Sequence, residues 1–127
     1  MDQKEFTNPP PRPGPSAYLN PESVKPWISI GPGIWELVLN SAGDVEKSVL
    51  QWYEPGAKSV TDDIITHTYI EEVVYLEGGL KDVTLGQEWG PGAYAYRKPG
   101  MKHGPYIASS KGCYQFCKFT PVDNRQG

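Results

Sequence analysis

Short runs of strand-forming residues, separated by Gly and Pro, are the feature that most limits what this chain can fold into. From Trp27 onward the runs are rich in Val, Ile, Tyr, Phe and Trp, and turn residues recur at intervals of about ten residues. This spacing predicts an all-β sandwich or barrel, and no segment has the pattern of a long amphipathic helix. The predicted strands are Trp27–Ile30, Ile34–Leu39, Lys47–Tyr53, Ile64–Leu76, Leu80–Thr84, Tyr94–Arg97, Tyr106–Ser109 and Tyr114–Phe119. The predicted turns include Gly78-Gly79, Pro99-Gly100 and Lys111-Gly112.

The chain of 127 residues suits a single domain with a core of its own. Residues 1–26 hold seven of the 13 prolines, at positions 9, 10, 11, 13, 15, 21 and 26, and almost no apolar pattern. We therefore predict an extended Pro-rich N-terminal arm over 1–26, a β-barrel over 27–122 and a C-terminal tail over 123–127. The arm is expected either to cross the sheet of a neighbouring subunit or to be a disordered tail, with Tyr18 and Leu19 as its candidate docking residues.

The charge and the apolar pattern exclude several classes of partner. The formal net charge is -3, without long runs of one sign, so we expect no nucleic-acid or membrane surface and a small molecule as the partner. Neither a transmembrane segment nor a signal peptide is evident, which predicts a cytoplasmic location. Cys113 and Cys117 fall on one predicted strand, with Cα atoms roughly 13 Å apart, so they are expected to be buried free thiols.

The two histidines are the first candidates for a functional site. His67 precedes Glu71 by four residues, and in a strand this even spacing points both side chains to the same face. The Pro99-Gly100 turn delivers His103 to the start of the next strand, where it can fold back over the first. The pattern predicts a site of two His and one Glu.

These segments resemble the two motifs of the cupin superfamily. In the first, three residues separate His67 from Glu71 and six more lead to Gly78; in the second, Gly92 is followed by five residues, then Lys98-Pro99-Gly100, two residues and His103. The segments Pro55-Gly56-Ala57 and Leu76-Glu77-Gly78 are also similar to those of short single-domain cupins, namely anti-sigma-factor zinc cupin domains and acetophenone-cleaving dioxygenases. The resemblance implies a jelly-roll-like β-barrel, a homodimer, and a divalent metal (Fe, Zn, Mn or Ni) on His67, Glu71 and His103.

The chain also departs from the cupin motifs. Ile65 stands at the position of another motif histidine, Lys98 at that of the motif proline and Ile107 at that of the terminal asparagine. We expect Ile65 to face the cavity, so that Ile65→His would tighten metal binding. Three ligands leave coordination positions open, as a catalytic metal requires, although a decayed site that works without metal remains an alternative.

Other residues near the histidines have less specific patterns. Tyr69 shares the strand parity of His67 and Glu71 and is a candidate catalytic residue, whereas Asp63 is a weaker candidate ligand. Lys98 and Lys102 flank the second turn, where they could bind an acidic substrate but are more typical of solvated loop lysines. The many Tyr and Trp residues indicate an aromatic-walled pocket, or simply an aromatic core.

Three functions follow from these features. The first is an enzyme that uses His67, Glu71, His103 and Tyr69 for non-oxidative proton chemistry on an enolisable or phenolic carbonyl compound: an isomerase, dehydratase, decarboxylase or cyclase. The second is a non-haem Fe(II) dioxygenase, implied by some of the resembling proteins. The third is a small-molecule or metal sensing module, which we expect to need a partner domain or helix that is not evident in this sequence.

Overall fold

The predicted all-β fold is confirmed by a computed structural model, which describes residues 1–59 and 68–122. In these residues the only helical segments are two 3-10 turns, and no helix is long and apolar enough to cross a membrane. The 3-10 turns are Ala17–Leu19 and Pro21–Val24. The strands are β1 (Ile28–Gly31), β2 (Ile34–Ala42), β3 (Glu46–Tyr53), β4 (Ile70–Asp82), β5 (Gln87–Trp89), β6 (Tyr94–Arg97) and β7 (Tyr106–Thr120).

The strands form one antiparallel sheet whose order differs from the order of the chain. Along the sheet the strands run β1-β2-β3-β7-β4-β5, and β6 pairs with the first half of β4. The last strand, β7, thus lies between β3 and β4. Side chains from β1, β2, β3, β4, β6 and β7 line one common cavity, so the sheet curls around it.

Two predicted turns are wrong, because the chain continues there as bent strand. Gly78-Gly79 lies inside β4 and Lys111-Gly112 inside β7, so four predicted segments merge into two long strands. The pairing of β4 with β7 shifts register between Tyr75 and Glu77 and again between Gly78 and Leu80, which marks bulges. A bulge with a positive-φ glycine bends a strand without ending it, and sequence patterns alone do not separate it from a turn.

Several residues of the segment 1–26 contact the outer face of this chain's own sheet, although most of the segment is exposed. The carbonyl of Pro10 accepts a hydrogen bond from the Trp27 indole (3.2 Å), and Arg12 stacks over Trp52 and Tyr114. Ala17 is buried in an outer core cluster, whereas Tyr18 and Leu19 are exposed on this chain, so their docking on a neighbouring subunit stays a prediction. The boundary between arm and barrel at residue 26 stays a prediction.

Candidate active site

The inner face of the curled sheet encloses a cavity of about 420 Å³. This volume lies in the range of pockets that hold a small molecule. The strand alternation places every second residue of β4 in the wall, so that Glu71, Val73 and Tyr75 all line the cavity. The predicted inward face of this strand is therefore correct from Glu71 to Tyr75, after which the bulges change the alternation.

The structure brings three of the four predicted site residues to this cavity. Glu71, His103 and Tyr69 all line it, and the Tyr69 ring packs edge-on against Phe119, with centroids 5.3 Å apart. His67 lies outside the described residues, as do Ile65 and Asp63. The predicted roles of these residues in catalysis and metal binding stay predictions.

The two loop lysines have the surroundings expected of solvated side chains. Lys98 and Lys102 are exposed, and neither lines the cavity. An acidic substrate in the cavity would not meet them.

A chain of hydrogen bonds joins Glu71 to His103 across the cavity wall. Arg97 Nη1 donates to Glu71 Oε1 at 3.1 Å, and Arg97 Nη2 donates to the Tyr106 hydroxyl at 2.7 Å. The Tyr106 hydroxyl lies 3.0 Å from His103 Nδ1, and the two rings stack with centroids 5.6 Å apart. We call these four residues the Glu71–His103 chain.

The sheet register explains how the Glu71–His103 chain is assembled. Glu71 of β4 pairs directly with Arg97 of β6, so carboxylate and guanidinium stand side by side on the inner face. Both side chains are only 14% exposed. Removing one partner of an ion pair this well shielded from water strongly destabilises the folded protein, because the other charge is left buried alone.

The Tyr106 hydroxyl is kept neutral in this position. Burial raises the pKa of Tyr106 to about 12, even though the neighbouring Arg97 guanidinium acts to lower it. A neutral phenol both donates and accepts a hydrogen bond. Tyr106 can therefore act as donor or as acceptor toward His103 Nδ1, according to which ring nitrogen carries the proton.

A second polar group of the cavity wall stands on β2, β3 and β7. Glu36 accepts hydrogen bonds from Lys47 (2.9 Å) and from Gln51 (3.1 Å), and Gln115 donates to Gln51 (2.8 Å). The Glu36 side chain is 6% exposed, so its charge depends on these donors. Lys47 and Arg97, the Lys and Arg side chains that line the cavity in the described part of the chain, are therefore each paired with a carboxylate.

The donor types at the cavity are those that a divalent metal accepts. Among the described residues, however, no three His, Cys, Asp or Glu side chains come together as a metal-binding group. Glu71 and His103 supply two of the three predicted donors, and a third donor from His67 would complete the set. The carboxylate of Glu71 also faces Arg97, which partly compensates its charge.

Sequence reasoning missed most of the polar wall. Arg97, Tyr106, Glu36 and the glutamines Gln51 and Gln115 were not singled out as polar site residues. A usable signal was present, because each of these polar side chains falls inside or at one end of a predicted strand otherwise rich in apolar or aromatic residues. A charged or amide residue on the inward parity of a strand indicates a polar cavity rather than a dry core.

One protein family matches most of the chain. The family described as the ChrR Cupin-like domain matches residues 17–123, which include the whole described sheet. No curated protein matches the sequence.

Solved structures with a similar fold include proteins of different activities. A chain of the Rhodobacter sphaeroides SigE complex with the anti-sigma ChrR has a TM-score of 0.59 at 22% identity, covering 84% of this chain and 56% of that one. A cupin-superfamily sugar phosphate isomerase from Silicibacter pomeroyi has a TM-score of 0.55 at 25% identity, covering 71% and 60%. The polyketide cyclase RemF from Streptomyces resistomycificus has a TM-score of 0.56 at 21% identity, covering 75% and 71%. The chain thus spans little more than half of the chain it matches in the SigE–ChrR structure.

Proposed function

Because the chain belongs to the ChrR cupin-like family, we propose that its cavity is the active site of a small-molecule enzyme. The predicted resemblance to the cupin superfamily and the predicted cupin fold are both confirmed. The proposed reaction is non-oxidative proton chemistry on an enolisable or phenolic carbonyl compound: isomerisation, dehydration, decarboxylation or cyclisation. The Glu71–His103 chain in the cavity wall is the observation that carries the proposal.

The imidazole of His103 is the group that moves the proton. When Nδ1 carries the proton and donates to the Tyr106 oxygen, Nε2 has a free lone pair and takes the proton from the substrate. The imidazolium formed in this way is the acid that returns the proton from Nε2. An isomerisation removes a proton at one atom and returns it at another, so a ring that exchanges between these two states serves both steps.

Arg97 and Glu71 act as positioning residues in this mechanism. Arg97 fixes the Tyr106 hydroxyl at 2.7 Å, and Glu71 fixes Arg97 at 3.1 Å. The guanidinium also supplies a fixed positive charge near the imidazole, which favours negative charge that develops on the substrate. Tyr69, on the same cavity wall, contributes to the pocket that holds the substrate.

A divalent metal (Fe, Zn, Mn or Ni) on His67, Glu71 and His103 is the alternative form of the proposed site, in which His103 is a ligand and Tyr69 or Glu71 moves the proton instead. When bound, it would polarise the substrate carbonyl as a Lewis acid. Its presence is measured by elemental analysis of protein purified without added ions.

Two of the similar structures support this class of reaction. Sugar phosphate isomerisation and polyketide cyclisation, the activities named for them, both proceed at carbonyl compounds. We propose carbonyl chemistry of that kind for this chain, in a homodimer located in the cytoplasm; light scattering measures the oligomeric state.

The proposal is tested by proton exchange, because the substrate is not specified. A panel of hydroxyketones, β-keto acids and phenolic ketones is incubated with the protein in D₂O, and loss of the α-proton signal is followed by NMR. We expect His103→Ala and His67→Ala to slow exchange by about 10²–10⁴-fold, the usual contribution of a proton-transfer group. Lys98→Ala is the control and should exchange like the wild type, because Lys98 is exposed and away from the cavity.

The same assay under anaerobic conditions distinguishes proton chemistry from a dioxygenase reaction. Exchange that continues without oxygen supports proton chemistry, whereas turnover that requires oxygen supports the Fe(II) dioxygenase. No exchange with any compound of the panel, or full exchange by His103→Ala, contradicts the proposal.

A sensing module is the second candidate, favoured by the family match to the ChrR cupin-like domain. In that case a panel compound would bind and raise the melting temperature without being turned over.

A further inference from the structure

Two tyrosines of the cavity wall take no part in the Glu71–His103 chain. Tyr53 ends β3 and Tyr75 lies within β4, and both line the cavity. The strands β3 and β4 flank β7, where Tyr53 pairs with Cys113 and Tyr75 pairs with Gln115. The two phenols therefore approach the cavity from either side of the same strand, two residues apart along it.

Their hydroxyls differ from that of Tyr106 in having no hydrogen-bond partner among the described residues. Tyr106 has two, Arg97 and His103. Tyr75 is 8% exposed and Tyr53 is partly buried against the inner core, so packing holds both rings in the cavity wall. Buried hydroxyls in proteins normally find a partner, and a ligand oxygen is one way to supply it.

The surroundings of these hydroxyls keep them protonated. Burial is the main cause that raises the pKa of Tyr53, and Cys117 and Glu71 add to it. Burial likewise raises the pKa of Tyr75, although Arg97 opposes this effect. Both phenols are therefore neutral donors near neutral pH. Tyr53 interacts electrostatically with Glu71, and Tyr75 with Arg97.

We propose that Tyr53 and Tyr75 donate a pair of hydrogen bonds to the carbonyl oxygen of the substrate. This inference rests on the proposed function and assigns the oxygen-binding end of the same cavity. In the reaction, the α C–H bond breaks and its proton goes to the His103 imidazole. The electron pair forms the C=C bond of the enolate, and the carbonyl π pair moves onto oxygen, where the two phenols stabilise it. The reverse steps return the proton to a different atom.

The substrate class follows from this arrangement. Among the described residues, the cavity-lining cations Lys47 and Arg97 are already paired, whereas Tyr53 and Tyr75 are neutral donors in the same cavity wall. The reacting end of the substrate is therefore an uncharged carbonyl that gains negative charge only during the reaction, rather than a carboxylate or a phosphate.

The test uses 4-nitrophenolate, whose phenolate oxygen resembles an enolate oxygen and whose visible absorbance reports binding. Wild type, Tyr53→Phe and Tyr75→Phe are titrated, with Tyr18→Phe as the matched control because Tyr18 is exposed outside the barrel. We expect each cavity variant to raise the Kd about 10-fold and to slow α-proton exchange about 10²-fold. Tyr18→Phe should leave both quantities unchanged.

Thermal unfolding separates binding from folding. Removing a hydroxyl that has no partner should leave the melting temperature of Tyr53→Phe and Tyr75→Phe unchanged or raised, since the ring keeps its packing. Wild-type protein that binds no 4-nitrophenolate, or cavity variants with wild-type Kd and exchange, would overturn the inference. If His103→Ala loses exchange but Tyr53→Phe and Tyr75→Phe behave like the wild type, the proposed function stands and this inference fails. If Tyr53→Phe and Tyr75→Phe weaken 4-nitrophenolate binding but the wild type exchanges no α-proton, this binding site stands and the proposed function fails.

Discussion

At the scale of single residues, β7 shows how the cavity wall combines packing with polarity. Cys113, Gln115 and Cys117 alternate along the strand and face inward, and both thiols are completely or almost completely buried. The prediction of buried free cysteines is confirmed. Gln115 donates to Cys117 Sγ at 3.4 Å, so the thiols are part of the polar wall as well as of the core.

These thiols should be inert while the protein is folded. Burial raises the pKa of Cys113 to about 12 and that of Cys117 well above its usual range. A raised pKa leaves the thiol protonated, so at pH 8 the thiolate fraction of Cys113 falls about 10³-fold below that of a free cysteine. In guanidinium chloride, DTNB should modify both cysteines. Within the same time, we expect it to modify neither cysteine of the native protein. Rapid native labelling of either would contradict this burial.

At the scale of elements, the bends of β4 and β7 decide where the strands point. Gly78 has φ +64° and Gly112 has φ +78°. The two residues lie next to each other where the pairing of β4 with β7 shifts register. A Cβ on Gly78 would stand 1.9 Å from the carbonyl oxygen of Gly112, so the backbones are in contact there. Tyr75 and the second half of β4 are oriented by this close approach.

Gly78→Ala should therefore be much more destabilising than the matched change Gly86→Ala. Gly86 has a similar φ of +67° but open space around its Cβ position, so it reports the conformational strain alone. We expect about 1–2 kcal/mol for Gly86→Ala and about 3 kcal/mol or more for Gly78→Ala, measured by urea unfolding. Equal losses of stability would mean that the backbones do not approach as described.

At the scale of the whole molecule, the sheet has a core on each face. The inner cluster surrounds the cavity, and the outer cluster holds Trp27, Trp35, Leu37 and Leu50 beneath residues from the arm. Arg12 joins arm and sheet, because it lies 4.7 Å from the Trp52 ring centroid and pairs with Glu77. Residues outside the barrel thus complete the outer core.

Arg12→Ala should loosen this attachment and lower the free energy of unfolding by about 1 kcal/mol, mainly through the lost stacking on two rings. The ion pair contributes less, since the Glu77 side chain is 60% exposed. Lys4→Ala, at an exposed position of the same arm, is the control. Urea unfolding of both variants checks this, and equal stability would indicate that the arm contributes nothing to the outer core.

The sequence by itself determined the all-β class, most strand positions and the inward side of β4. These depend on local properties: alternation with a period of two, and the turn preferences of Gly and Pro. It also indicated Glu71 and His103 as neighbours in one cavity, through the even spacing of Glu71 from His67 and the Pro99-Gly100 turn before His103. The tertiary structure alone decided that β7 lies between β3 and β4, that Gly78 and Gly112 form bulges, and that Glu71 pairs with Arg97. Gln115 and Gln51, which are 64 residues apart, meet only because of that strand order. Contacts of this kind depend on the register between distant strands, which no local pattern encodes.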